Sequence, residues 1–326
     1  MIRTVWTFPG QLTEYVGMTE GLLAGASCLR ENLEMASSLL GEDLAAICAE
    51  GPDSLLRRDD VAAAAVVASG VTCARELGRR GFQPDGTLGY SLGLYTAAAA
   101  SRAISLEDAL RLVISVAREG EAWFPPGRMA MGFVTGVRLS RLEAELADVL
   151  ADGEIAVTNV NTPAQIVLAG EADALDAALT RLRPQAMRCE RLRITRPYHS
   201  PWMEPVAAMA RELCRDLEVL APSVPLFDHK DGSPLESAEA VRRRLSEQLV
   251  TRVDWNASIR ALLGAGARTF VEAPPGSSTT RMVRWIERDA GAVALDQKED
   301  RERFFADRCA AGPRGGGGAG REQGIR

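Results

Sequence analysis

Residues 88–96 read LGYSLGLYT, placing Ser91 between Gly89 and Gly93. A G-x-S-x-G pattern puts a serine on a sharp strand-to-helix turn, with its hydroxyl exposed at the end of a sheet. The glycines are needed because the backbones flanking such a turn pack too closely for a Cβ. In a chain with 30 glycines the pattern alone describes a structural turn equally well, so its context decides. That context is a β-like run near Thr87–Tyr90, followed by the alanine-rich helical stretch LYTAAAASRA. Strand, turn and helix follow in the order that a nucleophile elbow requires.

Working outward, IRTVWTFPGQ reads as a short strand ended by Pro9-Gly10, and the amphipathic pattern over 18–40 reads as helices. VAAAAVVASGVTCARELGRRG is a further apolar helix ahead of the serine turn. Between 128 and 194 the pattern changes. MAMGFVTGV reads as a strand, LSRLEAELADVL as a helix with a serine cap, and IAVTNVN and PAQIVLAGE as paired strands. ADALDAALTRLR is a helix and MRCERLRI a strand. This β-α-β-β-α-β order is that of a ferredoxin-like unit. Further helices and short strands follow, ending in RTFVEAPPG. The expected fold is α/β: an α/β-hydrolase-like main domain (1–127 and 195–300) with a largely parallel sheet, an inserted ferredoxin-like subdomain (128–194), and a flexible glycine-rich tail over 301–326.

The composition narrows the function classes. The 326 residues are 46% hydrophobic with a net charge of −6, enough for a large core and without the basic footprint of a nucleic-acid binder. The apolar run at 61–71 is too short to span a bilayer, and MIRTVWTFPG lacks the regions of a signal peptide, so the expected compartment is the cytoplasm. Cys28, Cys48, Cys73, Cys189, Cys214 and Cys309 show no C-x-x-C spacing, which argues for packing residues and against a metal site.

A nucleophilic serine needs a base, a group to orient it, and N–H donors for the oxyanion. The only histidines are His199 and His229. His199 lies in RPYHSPWM, held between Pro197 and Pro201; an ordinary loop histidine is the competing reading. His229, in FDHKDG, reads as solvated. The oxyanion donors would be the N–H of Leu92 and, from the loop FPGQ, that of Gln11, unless Pro9-Gly10 is a simple turn. Asp108, Asp148, Asp152, Asp173 and Asp176 are available for a triad, but none has a motif around it.

The segments FPGQ (8–11), GYSLG (89–93), NVNTPAQIVLAG (159–170), YHSPWM (198–203), QLVTRVDW (248–255) and VEAPPG (271–276) resemble, in order, landmarks of malonyl-CoA:acyl carrier protein transacylases and polyketide synthase acyltransferase domains. The resemblance spans about residues 4–296 and implies a discrete, trans-acting acyltransferase of fatty acid or polyketide biosynthesis. In it Ser91 takes a malonyl-type group from CoA as an acyl ester and passes it to the phosphopantetheine thiol of an acyl carrier protein. His199 is then base and acid, and the backbone carbonyl of Gln248 orients it. Arg118 matches the arginine that grips the free carboxylate, and Tyr90 and Tyr198 fall in the substrate pocket. No cofactor beyond acyl-CoA as substrate is implied, no metal, and a monomer. The alternatives are transfer of an unusual acyl group between carrier proteins, an editing acyl-thioester hydrolase, and a non-catalytic docking module. Several residues depart from the family pattern: Leu12 replaces a glycine, Tyr90 a histidine and Leu94 a glutamate, so the pocket mouth should be narrower or more apolar. Arg188, Arg191, Arg193 and Arg242–Arg244 are the candidate docking patch for an acidic carrier protein, against a reading as solvated surface charge.

Overall fold

The computed structural model describes residues 2–310, with side chains through 307. Its main sheet has five parallel strands: β1 (Thr4–Phe8), β2 (Gly86–Gly89), β7 (Leu226–Phe227), β9 (Thr269–Glu272) and β10 (Gly291–Ala294). Their spatial order is β10-β9-β1-β2-β7. Chain order reverses direction at β1, so the loops after β1 and β9 leave on opposite sides. Ligand crevices in open α/β sheets form at the carboxyl ends of strands at such a point.

Both faces of this sheet are covered, which is why TVWTF is buried at every position and shows no polar alternation. Val5 and Leu88 point into a cluster with Trp255, Phe270 and Val283. Trp6 and Phe8, on the other face, meet a cluster that includes Ala64, Val67 and Leu110. Ala64 and Val67 belong to the helix Asp59–Arg79, whose 21 residues run well past the apolar stretch visible in the sequence. By length and composition that helix could cross a bilayer, yet it is almost wholly buried inside the fold.

The second sheet holds β3 (Met129–Thr135), β4 (Ile155–Thr162), β5 (Gln165–Glu171) and β6 (Arg188–Arg191) in the order β6-β3-β5-β4, antiparallel throughout. The helix Ala172–Leu182 packs on it through Leu175, Leu179 and Leu182. A fifth strand, β8 (Val253–Asp254), comes from the main-domain part of the chain and joins β4 in parallel, Asn159 opposite Val253. The boundary at 195 therefore does not separate the sheets, and the subdomain is tied to the catalytic domain by backbone hydrogen bonds.

Several local expectations change. Residues 18–28 form turns, and helix begins only at Leu29, because Gly17 and Gly21 take left-handed φ values of 94° and 66°. Ser140 is no cap: it sits inside the helix Leu139–Glu145, which starts after Arg138 without a side-chain cap. The expected flexible tail begins too early at 301, since the helix Lys298–Ala310 continues through it. Its Phe304 is buried with its ring centroid 5.4 Å from that of Phe82, and the Arg80 guanidinium lies 5.1 Å from the Phe305 centroid. The rest of that tail, 311–326, lies outside the described residues.

Candidate active site

β2 ends at Gly89, and the helix Gly93–Ala100 begins four residues later. A Cβ on Gly89 would run into the Gly93 carbonyl, and one on Gly93 into the Phe8 carbonyl, so neither position tolerates any other residue without movement. Ser91, at the apex, has φ +53°, a left-handed conformation that costs a non-glycine residue about 1–3 kcal/mol and persists only where surrounding packing imposes it.

The Ser91 Oγ lies 2.6 Å from His199 Nε2. On the far side of the ring, Nδ1 lies 2.8 Å from the Gln248 carbonyl and 3.2 Å from that of Thr251. Carbonyls only accept, so Nδ1 carries the proton and Nε2 is left bare to accept from the serine hydroxyl. Gln248 stands on the helical turn Gln248–Val250 directly after the helix Ala238–Glu247, which aims its carbonyl at the ring. Burial pushes the His199 pKa down to about 4, outweighing the two carbonyl hydrogen bonds that favour the charged form. The imidazole is thus neutral and ready as a base at physiological pH. No aspartate completes a triad. Asp108 hydrogen-bonds Ser105, and Asp148 and Asp176 pair with Arg181 and Arg191 on the subdomain surface.

The loop after β1 lies against the elbow, where a Cβ on Gly10 would stand 3.0 Å from the Tyr90 carbonyl and 3.5 Å from Ser91 Cβ. Gln11 and Leu92 both border the space beside Ser91, and neither N–H takes a backbone acceptor among the described residues. That arrangement leaves the pair free for an oxyanion, with the start of the helix Gly93–Ala100 adding positive potential. Leu12, next in the loop, has φ +68°. The conformation explains why glycine is the family residue there; leucine occupies it under strain.

Tyr90 does more than line the mouth. Its hydroxyl donates to Asn161 Oδ1 (2.7 Å) and accepts from Asn159 Nδ2 (3.1 Å), both on β4, so it ties the elbow to the second sheet. Its ring stands edge-on to Trp255 at 5.5 Å. Tyr198 is buried beside the serine, and Leu94 is fully buried in the core.

Two expectations fail. His229 is not solvated: it is fully buried, its ring is edge-on to His199 at 5.8 Å, and its Nδ1 lies 3.2 Å from the Gly89 carbonyl. Burial drives its pKa well below the ordinary value, so it is a neutral wall against the catalytic ring. Arg118 does not reach the site. Its Nε donates to Asp60 Oδ2 (3.1 Å) and its Nη2 to the Leu40 carbonyl (2.9 Å), with the side chain half exposed. On the helix Leu106–Trp123 the residues that face Ser91 are Val113, Val116 and Ala117; a rotation of about 100° per residue turns Arg118 away. The candidate docking arginines are also mostly engaged: Arg188 with Glu190, Arg191 with Asp176, Arg193 with Glu14 and Arg244 with Asp228, while Arg242 donates to backbone carbonyls.

Two spaces meet at Ser91 and His199. In front is a cleft of about 760 Å³ between the main-sheet elbow and the second sheet, lined by residues including Asn159, Asn161, Gln165, Arg188 and Arg281. Behind is a recess of about 30 Å³. The sequence reading missed Arg281, Thr251 and the recess walls. Helical phase was the available signal for the walls. Among the described residues no group of three or more His, Cys, Asp or Glu side chains could hold a metal ion.

Comparison with known proteins adds to this geometry. Residues 5–307 match the model of the acyl transferase domain. A malonyl CoA-acyl carrier protein transacylase of Bacillus subtilis is 27% identical over 92% of this chain and 95% of its own length. The polyketide biosynthesis protein ThaF of Burkholderia thailandensis is 31% identical over 94% of this chain, a region that makes up 26% of that protein. Among solved structures, a malonyl-transacylase in complex with a type II polyketide synthase acyl carrier protein superposes with a TM-score of 0.88 at 27% identity, covering 94% of this chain and 99% of the other. The transacylase of Xanthomonas oryzae also gives 0.88, at 29% identity over 94% and 98% of the two chains. With its elbow serine, carbonyl-oriented histidine and matching fold, this chain belongs to the acyl transferase domain family.

Proposed function

We propose that this protein is an acyltransferase that moves an acyl group from CoA to the phosphopantetheine thiol of an acyl carrier protein in fatty acid or polyketide biosynthesis, through an ester on Ser91. The observation that carries the reading is the 2.6 Å contact between Ser91 Oγ and a histidine whose other nitrogen is held by a backbone carbonyl. His199 Nε2 takes the hydroxyl proton as Oγ attacks the thioester carbonyl, and the oxyanion settles against the N–H groups of Gln11 and Leu92. The C–S bond breaks and His199 returns the proton to the departing thiol. The second half runs in reverse order with the carrier thiol as nucleophile. Both thiols are presented on a pantetheine arm, whose amides suit a cleft lined by Asn159, Asn161 and Gln165.

The malonyl transacylases among the relatives support malonyl-CoA as a donor, and the complexed structural neighbour supports an acyl carrier protein as partner. The chemistry requires no cofactor, and we place the protein in the cytoplasm as a monomer. Intact-mass spectrometry with an acyl-CoA panel, with and without carrier protein, tests the reading. The expected result is an adduct on Ser91 that disappears only when carrier protein is added. No adduct from any donor would overturn it.

A further inference from the structure

The recess behind Ser91 bears on which acyl group the serine carries, given the acyltransferase reading above. Its walls are Ala63, Tyr95, Val113, Val116, Ala117 and Leu249, joined by the site residues already described and by Gln248. None of these carries a charge. Arg118, next to the wall residue Ala117, and Arg196, just before Tyr198, are committed elsewhere: Arg118 to Asp60, and Arg196 to Asp59 (2.9 Å) and Glu121 (3.6 Å). A carboxylate entering the recess would lose its water without gaining a cation, a strongly unfavourable exchange. A methyl or ethyl group would bury apolar surface against valine, alanine and leucine, which is favourable. At about 30 Å³ against about 760 Å³ for the cleft, the recess admits only a short chain.

We propose that Ser91 accepts a short uncharged acyl group, acetyl or propionyl in size, in preference to malonyl. The thioester carbon bonds to Ser91 Oγ, the C–S bond breaks, and the serine proton passes through His199 to the CoA thiol. The alkyl end of the acyl group lies against Val116 and Ala117.

Single-turnover acylation of the full chain by acetyl-, propionyl-, hexanoyl- and malonyl-CoA, followed by intact mass, tests this. Acetyl or propionyl should acylate at least about tenfold faster than malonyl, the scale on which small pockets discriminate, and hexanoyl should lag behind both. Faster malonyl transfer overturns the proposal. Val116→Arg should move the preference toward malonyl by placing a guanidinium in the recess. Should that variant fold poorly, Arg118→Ala supplies the second measurement: its donor preference should match that of the unaltered chain, and a selective loss of malonyl transfer would show that Arg118 does reach the acyl group. The proposal and the reading beneath it fail differently. An adduct that forms from acetyl-CoA but passes to water overturns the carrier acceptor and supports the uncharged acyl group; absence of any adduct overturns both.

Discussion

The cleft in front of Ser91 and the recess behind it share the nucleophile and His199 but little else. The cleft is wide and polar, built by β-strands of two sheets, with Asn159 and Asn161 on β4 and Gln165 on β5. The recess is small and apolar, built by helices, with Val113, Val116 and Ala117 on one face of Leu106–Trp123. A long, hydrogen-bonding arm can be recognised by the first through many individually weak contacts. The second can sort acyl groups only by size and charge. A polar cleft and an apolar recess around one nucleophile thus place separate demands on the thiol carrier and on the acyl group.

Removing the shared centre disables both spaces. Ser91→Ala should abolish acylation, and His199→Ala should slow it by about 10⁴-fold or more, the usual cost of losing a member of a nucleophile–base unit, read by single-turnover kinetics. Gly89→Ala should follow, because its Cβ collides with the Gly93 carbonyl. It should lower thermal stability and remove the elbow together, with a loss of about 3 kcal/mol or more expected for a rigid backbone clash, measured by denaturant unfolding.

The acid limb of the pH profile reports how dry the shared base is. With its pKa lowered to about 4, His199 stays unprotonated through the region near 6.5 where an open histidine would titrate. Acylation should therefore hold flat across that region and fall only near pH 4. Stability has the same origin but a different window: because the folded pKa lies below the unfolded one, the fold should weaken as pH drops from about 6.5 toward 4, where the unfolded chain binds protons that the buried ring refuses.

Smaller effects separate the two sides. Tyr90→Phe removes the hydroxyl between Asn159 and Asn161, and should cost about 1–3 kcal/mol by leaving buried polar groups unpaired. Because this tie lies on the cleft side, carrier-protein turnover should suffer more than self-acylation. Smallest is Arg281→Glu at the cleft mouth, expected to weaken turnover of an acidic carrier protein several-fold at low salt, with the difference vanishing at high salt as screening sets in. Equal loss in acylation by CoA would assign Arg281 to the donor instead.

Much of the machinery was legible in the residues. Gly89 and Gly93 flag a turn whose backbone contacts exclude side chains, and the strand before it and alanine-rich helix after it supply the required context. With two histidines in the chain the candidates for the base were few, and the prolines around His199 set it apart. Short elements were harder. β8 has two residues and exists because β4 offers it an edge, which no local pattern encodes. The helix Lys298–Ala310 is charged along most of its length, and Phe304 and Phe305 pack it against Phe82.

The residues alone pointed to the elbow serine, through a local backbone requirement, and narrowed the base to two histidines, through rarity; the carbonyl of Gln248 followed only from the resemblance to the family. What surrounds them is set by packing. His229 sits among charged residues in the chain yet is fully buried beside His199, with its Nδ1 against the Gly89 carbonyl at the end of β2. Arg118 adjoins a cavity-lining alanine yet points to Asp60, because a single residue step on a helix turns the side chain by about 100°. Which face of that helix meets the serine is set by how it packs against its neighbours, and that packing leaves the acyl recess without a charge.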